Sequence, residues 1–152
     1  ENKKITITNQ NMTRFLMSLE ESVELVLEAF MNGKNGEIFV YKSPACSIEN
    51  LAEAIVKMTK TNSKINYIGT RHGEKLFETL VSQEELLNSE SYKKFFKIIP
   101  DNRDLDYSKY FAKGRNKPLK DSYTSHNTKM LNVNQIIEKI KSLNSFDYKK
   151  YV

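Results

Sequence analysis

Residues 65–75 read Ile-Asn-Tyr-Ile-Gly-Thr-Arg-His-Gly-Glu-Lys and join a predicted strand to a candidate ligand-binding loop. The short apolar run at residues 65–68 predicts the strand. Two glycines then flank an arginine, and glycine allows a backbone to approach a ligand closely. Arg71 has the planar group that grips a phosphate through two parallel hydrogen bonds. Glu74 has a carboxylate that accepts hydrogen bonds from two adjacent ribose hydroxyls. The two residues suit a nucleoside diphosphate, while a tight turn with a surface ion pair is the plainer interpretation.

Predicted helices and strands alternate on both sides of this loop. Strands are expected at residues 4–8, 37–41 and 95–99, and helices near residues 18–32, 47–58, 82–89 and 133–143. Ser82 and Glu85 have the spacing of a capping box, as do Ser18 and Glu21. Residues 101–121 are polar and are expected to be extended and loop-rich. The alternation predicts an α/β fold.

Three of the helices have apolar residues at helical spacing, which predicts one buried face on each. In the first helix these residues are Leu19, Val23, Val26, Leu27 and Phe30. In the second they are Ile48, Leu51, Ala52, Ile55 and Met58. In the last they are Val133, Ile136, Ile137 and Ile140.

The chain has 152 residues, which is enough for one domain with a core of its own. We assign residues 1–145 to that domain and residues 146–152 to a frayed tail. The single cysteine excludes a disulfide framework within the chain and fits a reducing cytoplasm. No apolar run reaches the ~20 residues of a membrane helix, so we expect no membrane partner. The chain starts with neither a methionine nor a signal peptide, which indicates a cut inside a longer chain.

The net charge is +5, but the lysines are spread evenly and mixed with acidic residues. This distribution argues against nucleic acid as a partner, because a nucleic-acid-binding face needs clustered basic residues. The aromatic and lysine residues at 92–97 are more typical of a strand with a solvated flank. Arginine is scarce, and the four examples are Arg14, Arg71, Arg103 and Arg115. In a lysine-rich chain, arginine points to places that need a planar, bidentate donor.

Arg14 lies between apolar neighbours just before the first helix. It is either a second phosphate ligand or a structural residue paired with Glu20 or Glu21. Structural roles are expected for three further candidates, which are the turn at residues 101–104, His126 and Cys46. The cysteine lies where the second helix starts, and a helix N-terminus can lower the pKa of a thiol.

The chain has no motif that binds a nucleotide cofactor. No strand is followed by Gly-x-x-Gly-x-x-Gly or Gly-x-Gly-x-x-Gly, and no Tyr-x-x-x-Lys pair occurs. No histidine and cysteine have the spacing of metal ligands. We therefore expect this chain alone to bind no cofactor and no metal, and to contain no catalytic residue.

Several stretches, in order along the chain, resemble the second half of extended short-chain dehydrogenases/reductases. They are Met-Thr-Arg-Phe-Leu-Met-Ser-Leu at 12–19, Ile-Phe-Val-Tyr-Lys-Ser-Pro-Ala at 38–45, Ile-Gly-Thr-Arg-His-Gly-Glu-Lys-Leu at 68–76, Pro-Asp-Asn-Arg-Asp-Leu at 100–105 and Tyr-Thr-Ser-His-Asn-Thr-Lys at 123–129. Within that family the chain most resembles the bacterial inverting UDP-N-acetylglucosamine 4,6-dehydratases of capsule and O-antigen synthesis. The third and fifth stretches are the most specific to this branch.

The resemblance implies roles for individual residues. Arg14 and Arg71 would hold the pyrophosphate of a UDP-N-acetylhexosamine substrate, and Glu74 the uridine ribose. It also implies the substrate-binding lobe of an extended short-chain dehydrogenase/reductase, without most of the Rossmann domain. In such enzymes a hydride passes from C4 of the sugar to NADP, water is lost across C5 and C6, and the hydride returns to C6 as C5 is inverted. NADP, the catalytic tyrosine and the catalytic lysine belong to the missing Rossmann half, and the parent would be a cytoplasmic homo-oligomer.

Three alternatives remain open at this point. One is a decayed or truncated gene product, in which apolar surface left exposed by the missing lobe should make the chain associate or aggregate. The other two are binding or catalytic proteins. The first of these two is a sister enzyme, either a retaining dehydratase or a UDP-sugar epimerase, because the same site residues serve all of them. The second is a non-catalytic basic module that binds nucleic acid or a protein partner, for which generic salt-sensitive DNA binding is the diagnostic.

Overall fold

The computed structural model describes residues 4–100 and 121–143. Within them the chain divides into two compact units. The first unit contains residues 4–18, 43–78 and 124–143, and the second contains residues 19–42, 79–100 and 121–123. The predicted turn at 101–104, most of the polar stretch at 101–121 and the frayed tail lie outside the described residues. The assignment of residues 1–145 to one domain stays a prediction.

Helices and short strands alternate along the chain, which confirms the predicted α/β class. In chain order the elements are β1 (Ile5–Ile7), β2 (Thr13–Phe15), α1 (Leu19–Asn32), β3 (Ile38–Tyr41), β4 (Ala45–Ser47), α2 (Ile48–Thr59), β5 (Ile65–Tyr67), β6 (Thr79–Val81), α3 (Gln83–Leu87), β7 (Ser89–Tyr92), β8 (Phe95–Ile98), β9 (Tyr123–Thr124) and α4 (Val133–Lys141). The described part of the chain thus contains all the predicted helices and strands. Strands β2, β4, β6, β7 and β9 were not expected.

Two strand pairs organise the first unit. β1 lies parallel to β5, with Ile5 opposite Ile65 and Ile7 opposite Tyr67. β2 lies antiparallel to β4, with Arg14 opposite Cys46. The first pairing places the loop after β5 beside the turn after β1.

Helices α2 and α4 pack together over the core of this unit. The buried residues of the core cluster are Cys46, Ala54, Leu131 and Ile136, and the apolar residues packed against it are Leu16, Leu51, Val133, Ile137 and Ile140. The predicted buried face of α4 is therefore confirmed. The assignment of Ile55 to the buried face of α2 is wrong, because the small Ala52 and Ala54 face inward and Ile55 is 43% exposed.

Side-chain caps set the starts of three helices. The Oγ of Ser47 accepts the backbone N–H of Asn50 at the start of α2. At α3 the predicted capping box is confirmed, since Ser82 Oγ accepts Glu85 N–H at 3.2 Å and Glu85 Oε2 accepts Ser82 N–H at 2.8 Å. A further capping box, formed by an asparagine and a glutamine, starts α4. These bonds satisfy N–H groups that a helix start leaves without partners.

The second unit contains a three-stranded antiparallel sheet in the order β3-β8-β7. Tyr41 and Tyr92 both lie opposite Phe95, which is 1% exposed. The Phe95 ring meets the rings of Phe39 and Tyr41 edge-on at centroid distances of 6.3 and 5.6 Å. Such edge-to-face contacts add to the stabilisation from apolar burial.

The buried stripe predicted for α1 is wrong. Leu19, Val23, Val26, Leu27 and Phe30 are all at least half exposed, and α1 has no buried residue. The reason is that α1 turns its acidic side toward the sheet of the second unit, where Tyr41 donates its hydroxyl to Glu21 at 3.3 Å. The sequence correctly predicted that α1 has an apolar side. It wrongly predicted that this side packs against the unit to which α1 belongs.

Among the residues described, no helix has the length and apolar character needed to cross a membrane.

Candidate functional site

The loop at residues 69–75 forms the tight turn that its glycines suggested. Gly69 and Gly73 both have φ of +85°, a conformation that residues with a Cβ rarely adopt. A Cβ at either position would meet nothing within 4 Å, so the backbone conformation is what requires glycine there. Glu74 closes the turn, since its Oε2 accepts Arg71 N–H at 3.0 Å and its own N–H bonds the Arg71 carbonyl at 3.2 Å. The loop therefore has a defined shape without a ligand.

Both ends of the loop are tied to the N-terminal segment of the first unit. At the start, Asn9 Nδ2 donates to Thr70 Oγ1 at 2.9 Å. At the end, Thr13 N–H bonds the Leu76 carbonyl at 2.8 Å, and Arg14 Nη2 donates to the Lys75 carbonyl at 2.9 Å. The structure therefore brings Arg14 to the loop that contains Arg71 and Glu74, although 56 intervening positions separate the two arginines in sequence.

The guanidinium of Arg14 is largely occupied by the protein itself. Its Nη1 donates to the Thr13 carbonyl at 2.7 Å, its Nη2 also lies 3.1 Å from Met12 Sδ, and its Nε lies 3.6 Å from Glu78 Oε1. The ion-pair partner is therefore Glu78, whereas the structural interpretation of the sequence named Glu20 or Glu21. In this arrangement Arg14 stabilises the end of the loop.

Arg71 has a different environment. The residue is exposed, and no ion pair to its guanidinium occurs among the residues described. Glu74 is half-buried and bonds the backbone of Arg71, not its guanidinium. The surface ion pair of the plainer interpretation is thus absent from the described loop, and the planar donor group of Arg71 is directed to no acidic partner there.

A network of two buried hydroxyls and one histidine lies beneath the site, and local sequence spacing did not predict it. Thr13 Oγ1 lies 2.7 Å from both Ser125 Oγ and His126 Nδ1. Ser125 Oγ accepts Glu78 N–H at 3.0 Å and donates to the Thr13 carbonyl at 3.2 Å. Each hydroxyl has one hydrogen, and either oxygen of the Thr13–Ser125 pair can be the donor. The network therefore links the segments around residues 13, 78 and 125–126.

The ring of His126 also packs against Phe77, with centroids 4.8 Å apart. His126 is an exposed residue with structural contacts to Phe77 and Thr13, which agrees with the structural role expected for it. Thr13 and Ser125 are buried, and they lie inside two of the stretches that carried the family resemblance. Membership in those stretches was the one feature of the sequence that could have pointed to Thr13 and Ser125. Their spacing could not have linked them, because they are far apart in sequence.

Cys46 is a structural residue, as expected, and the nearby helix start does not lower its pKa. The side chain is fully buried on β4 in the core of the first unit. Burial disfavours the charged thiolate and raises the pKa of Cys46 from 9.0 to about 11. The thiol is therefore neutral and unreactive at neutral pH.

The described residues do not form a cofactor or metal site. No group of three His, Cys, Asp or Glu within residues 4–100 and 121–143 is placed to hold a metal ion. The parallel strand β1 is followed by Thr8-Asn9-Gln10-Asn11 and not by a glycine-rich turn leading into a helix. The residues present therefore do not fit a nicotinamide dinucleotide, and no step of a reaction is assigned to them.

Comparison with known proteins identifies the class. Residues 1–100 match the family model described as "Polysaccharide biosynthesis protein", and residues 101–146 match "Polysaccharide biosynthesis protein C-terminal". The fold and these matches place the chain among extended short-chain dehydrogenase/reductase-like proteins of polysaccharide biosynthesis. The chain belongs to the polysaccharide biosynthesis protein family.

Individual relatives show how much of the family fold is present. A UDP-glucose 4-epimerase of Rickettsia bellii (strain OSU 85-389) is 51% identical over 144 residues, which are 94% of this chain and 42% of the relative. One from Rickettsia canadensis (strain McKiel) is 50% identical over 145 residues, covering 95% of this chain and 42% of the relative. The X-ray structure of Pen from Bacillus thuringiensis matches with a TM-score of 0.72 and 33% identity, over 93% of this chain and 40% of Pen. The chain spans less than half the length of these relatives.

The raised pKa of Cys46 predicts a stability change at alkaline pH. The unfolded thiol ionises near pH 9 and the folded thiol near pH 11. Burial of the neutral thiol thus contributes fully below pH 9, and this contribution is lost as the pH rises from 9 to 11. Urea unfolding at about pH 8 and about pH 10.5 measures the loss, with Cys46→Ala as the control that retains all other titrating groups. We expect a larger loss in the unmodified chain, and equal losses in both proteins would contradict the assignment.

Proposed function

We propose that this chain is the UDP-sugar-binding, C-terminal part of a longer nucleotide-sugar-modifying enzyme of bacterial surface polysaccharide synthesis. The observation that supports this most directly is the loop at residues 69–75. It presents an exposed arginine without an acidic partner among the described residues, on a backbone already held in place at both ends. Such a pre-ordered donor lowers the entropic cost of ordering the protein around a phosphate.

Arg71 is the proposed primary ligand of the pyrophosphate. Its guanidinium can form two parallel, charge-assisted bonds to phosphate oxygens. Arg14 is the proposed second ligand, in a more limited way. With its Nη2 and Nε directed at Lys75, Met12 and Glu78, one Nη1 hydrogen is left for a phosphate oxygen. Arg14 would then both position the loop and contact the ligand.

Glu74 is the proposed ligand of the uridine ribose. One carboxylate oxygen, Oε2, accepts the backbone N–H of Arg71, and a carboxylate has acceptor capacity beyond a single bond. The same side chain can therefore shape the loop and accept hydrogen bonds from the ribose hydroxyls. Side chains three residues apart that bind a phosphate and a ribose suit these two neighbouring groups of a uridine diphosphate.

The remainder of the enzyme would supply the chemistry. In this proposal NADP is bound by the Rossmann half that this chain lacks, and that half would provide the hydride acceptor. The parent would act in the cytoplasm as a homo-oligomer on a UDP-N-acetylhexosamine. Binding of the remote nucleotide here would orient the sugar for reaction there, since binding energy away from the reacting atoms reduces the cost of orientation.

Two reactions are candidates for the parent. The family resemblance of the sequence favours 4,6-dehydration of UDP-N-acetylglucosamine, with inversion at C5. The printed name of the Rickettsia relatives, UDP-glucose 4-epimerase, favours epimerisation at C4. The described site residues bind the nucleotide in either case, so they do not distinguish the two reactions.

The mass of the product decides between these reactions. We expect the parent enzyme, incubated with UDP-N-acetylglucosamine, to release a nucleotide sugar lighter by one water molecule. Mass spectrometry of the product measures this directly. A product of unchanged mass whose sugar has the opposite configuration at C4 would establish the epimerase and overturn the dehydratase.

Replacing Arg71 tests the phosphate site in this chain. Loss of a bidentate, charge-assisted contact should weaken UDP binding about 10- to 100-fold in Arg71→Ala. Arg71→Lys should recover only part of the affinity, because lysine keeps the charge but not the planar fork. Isothermal titration with UDP measures both, and Lys57→Ala on α2 removes an equal charge as the control. Unchanged affinity in Arg71→Ala would remove Arg71 from the site.

The ribose contact predicts a preference for UDP over 2′-deoxy-UDP. Glu74→Gln keeps an oxygen for the backbone N–H of Arg71 but loses the carboxylate charge, so it should reduce that preference by about 10-fold. The measurement compares the two ligands in both proteins, with Glu53→Gln as the charge-matched control. If the preference survives in Glu74→Gln, the ribose is held elsewhere.

A further inference from the structure

Helix α1 has an apolar face that its own unit leaves uncovered. The face consists of large side chains at helical spacing, with exposures from 50% for Val23 to 86% for Phe30. Its members are Leu19, Val23, Val26, Leu27, Phe30 and Met31. A contiguous apolar surface of this kind on a folded protein marks an interaction site.

The orientation of α1 is fixed by polar contacts on its opposite side. Glu24 pairs with Lys94 at 2.9 Å, and Glu28 pairs with Lys93 at 3.1 Å. With the bond from Tyr41 to Glu21, these contacts turn three acidic residues toward the β3-β8-β7 sheet. A helix on the surface of an ordinary globular protein has the reverse arrangement, with its apolar side inward. Rotating α1 to bury the apolar face would break all three contacts, so the outward face is built into this unit.

We infer that the apolar face of α1 is the docking surface for the rest of the longer polypeptide, the part that the relatives possess outside the matched region. This inference rests on the proposed function, in which the chain is one part of such an enzyme. More than half of the R. bellii relative, and more than half of Pen, lies outside the region matched here. A segment of the same polypeptide is present at high effective concentration, so an apolar contact suffices to hold it without complementary charges.

The chemistry of the face agrees with this occupant. The six side chains are aliphatic, aromatic or thioether groups. Three acidic residues of α1, Glu21, Glu24 and Glu28, contact the sheet side instead, and Glu20 is an exposed acidic residue in the first turn of the helix. Phe30 makes the largest apolar contribution, and it is the most exposed of the six. It should therefore be the residue whose environment changes most on docking.

The test compares the 152-residue chain with a chimera in which this chain replaces the matched region of the R. bellii relative. Phe30→Cys introduces a thiol near the C-terminal end of the apolar face, at its most exposed residue. Labelling with a maleimide, mapped by mass spectrometry, should be rapid in the chain and at least about 10-fold slower in the chimera. Cys46 is fully buried and serves as an internal reporter that the first unit is folded.

Each outcome of the labelling is informative. Protection that is specific to the chimera and independent of protein concentration supports the inference. Equal labelling in both proteins, with Cys46 protected, overturns it. Protection in the 152-residue chain that grows with concentration would assign the face to a second copy and also overturn it. None of these measurements uses a nucleotide. A failure of UDP binding would therefore contradict the proposed function without deciding whether α1 is a docking surface.

A second variant covers the case in which the introduced thiol disturbs folding. Phe30→Glu should leave the thermal unfolding midpoint of the 152-residue chain within a degree or two, because the side chain makes few contacts there. In the chimera it should lower the midpoint by several degrees, because a charge would be buried. Ile55→Glu on α2, also at an exposed apolar position, is the control. Equal effects of Phe30→Glu in chain and chimera would contradict docking at α1.

Discussion

The contacts of Thr13 are the constraint on which the site of the first unit depends. Its backbone N–H bonds the Leu76 carbonyl, and its hydroxyl contacts the buried hydroxyl of Ser125 and the ring of His126. Three segments far apart in sequence therefore meet at one residue, and the loop between β5 and Leu76 cannot shift without breaking those bonds. Buried hydroxyls that lose a partner are costly, so the network favours a single arrangement of the three segments.

In that arrangement Arg14 and Arg71 have different roles. Arg14 donates hydrogen bonds to two backbone carbonyls and pairs with Glu78, and these contacts hold the end of the loop in place. Arg71 extends from the middle of the same loop, which is held at both ends and closed by Glu74. A loop held at both ends, with an arginine that has no acidic partner among the described residues, combines order with binding capacity. The geometry explains why two arginines in a lysine-rich chain serve this loop, since lysine cannot bond several acceptors in one plane.

Features that depend on neighbouring residues were predictable from the sequence. The strand β5, the glycine turn after it, the capping box at Ser82 and the inward face of α4 all follow from local spacing, and the structure confirms them. Strands β2 and β4 have the sequences Thr-Arg-Phe and Ala-Cys-Ser, which lack the apolar pattern that predicted the equally short β1 and β5. The bond between Thr13 and Ser125 spans 112 positions, and no local rule predicts such a contact. The raised pKa of Cys46 depends on burial by distant helices, whereas the sequence showed only the nearby helix start.

Helix α1 shows a different limit of the same reasoning. Apolar periodicity identifies a face that must leave water, but it does not identify the body that covers it. The prediction assumed that this body lay within the chain, and the contacts of Glu21, Glu24 and Glu28 show that the sheet of the second unit receives the opposite side. The charge pattern of the sequence could have shown which side of α1 faces the sheet. The acidic residues at 21, 24 and 28 are spaced three and four apart on one side of the helix, and their charge is complementary to the lysines at 93 and 94. In a chain that spans less than half of its relatives, an amphipathic helix is therefore evidence for a surface to be covered, and its charged side indicates which way it faces.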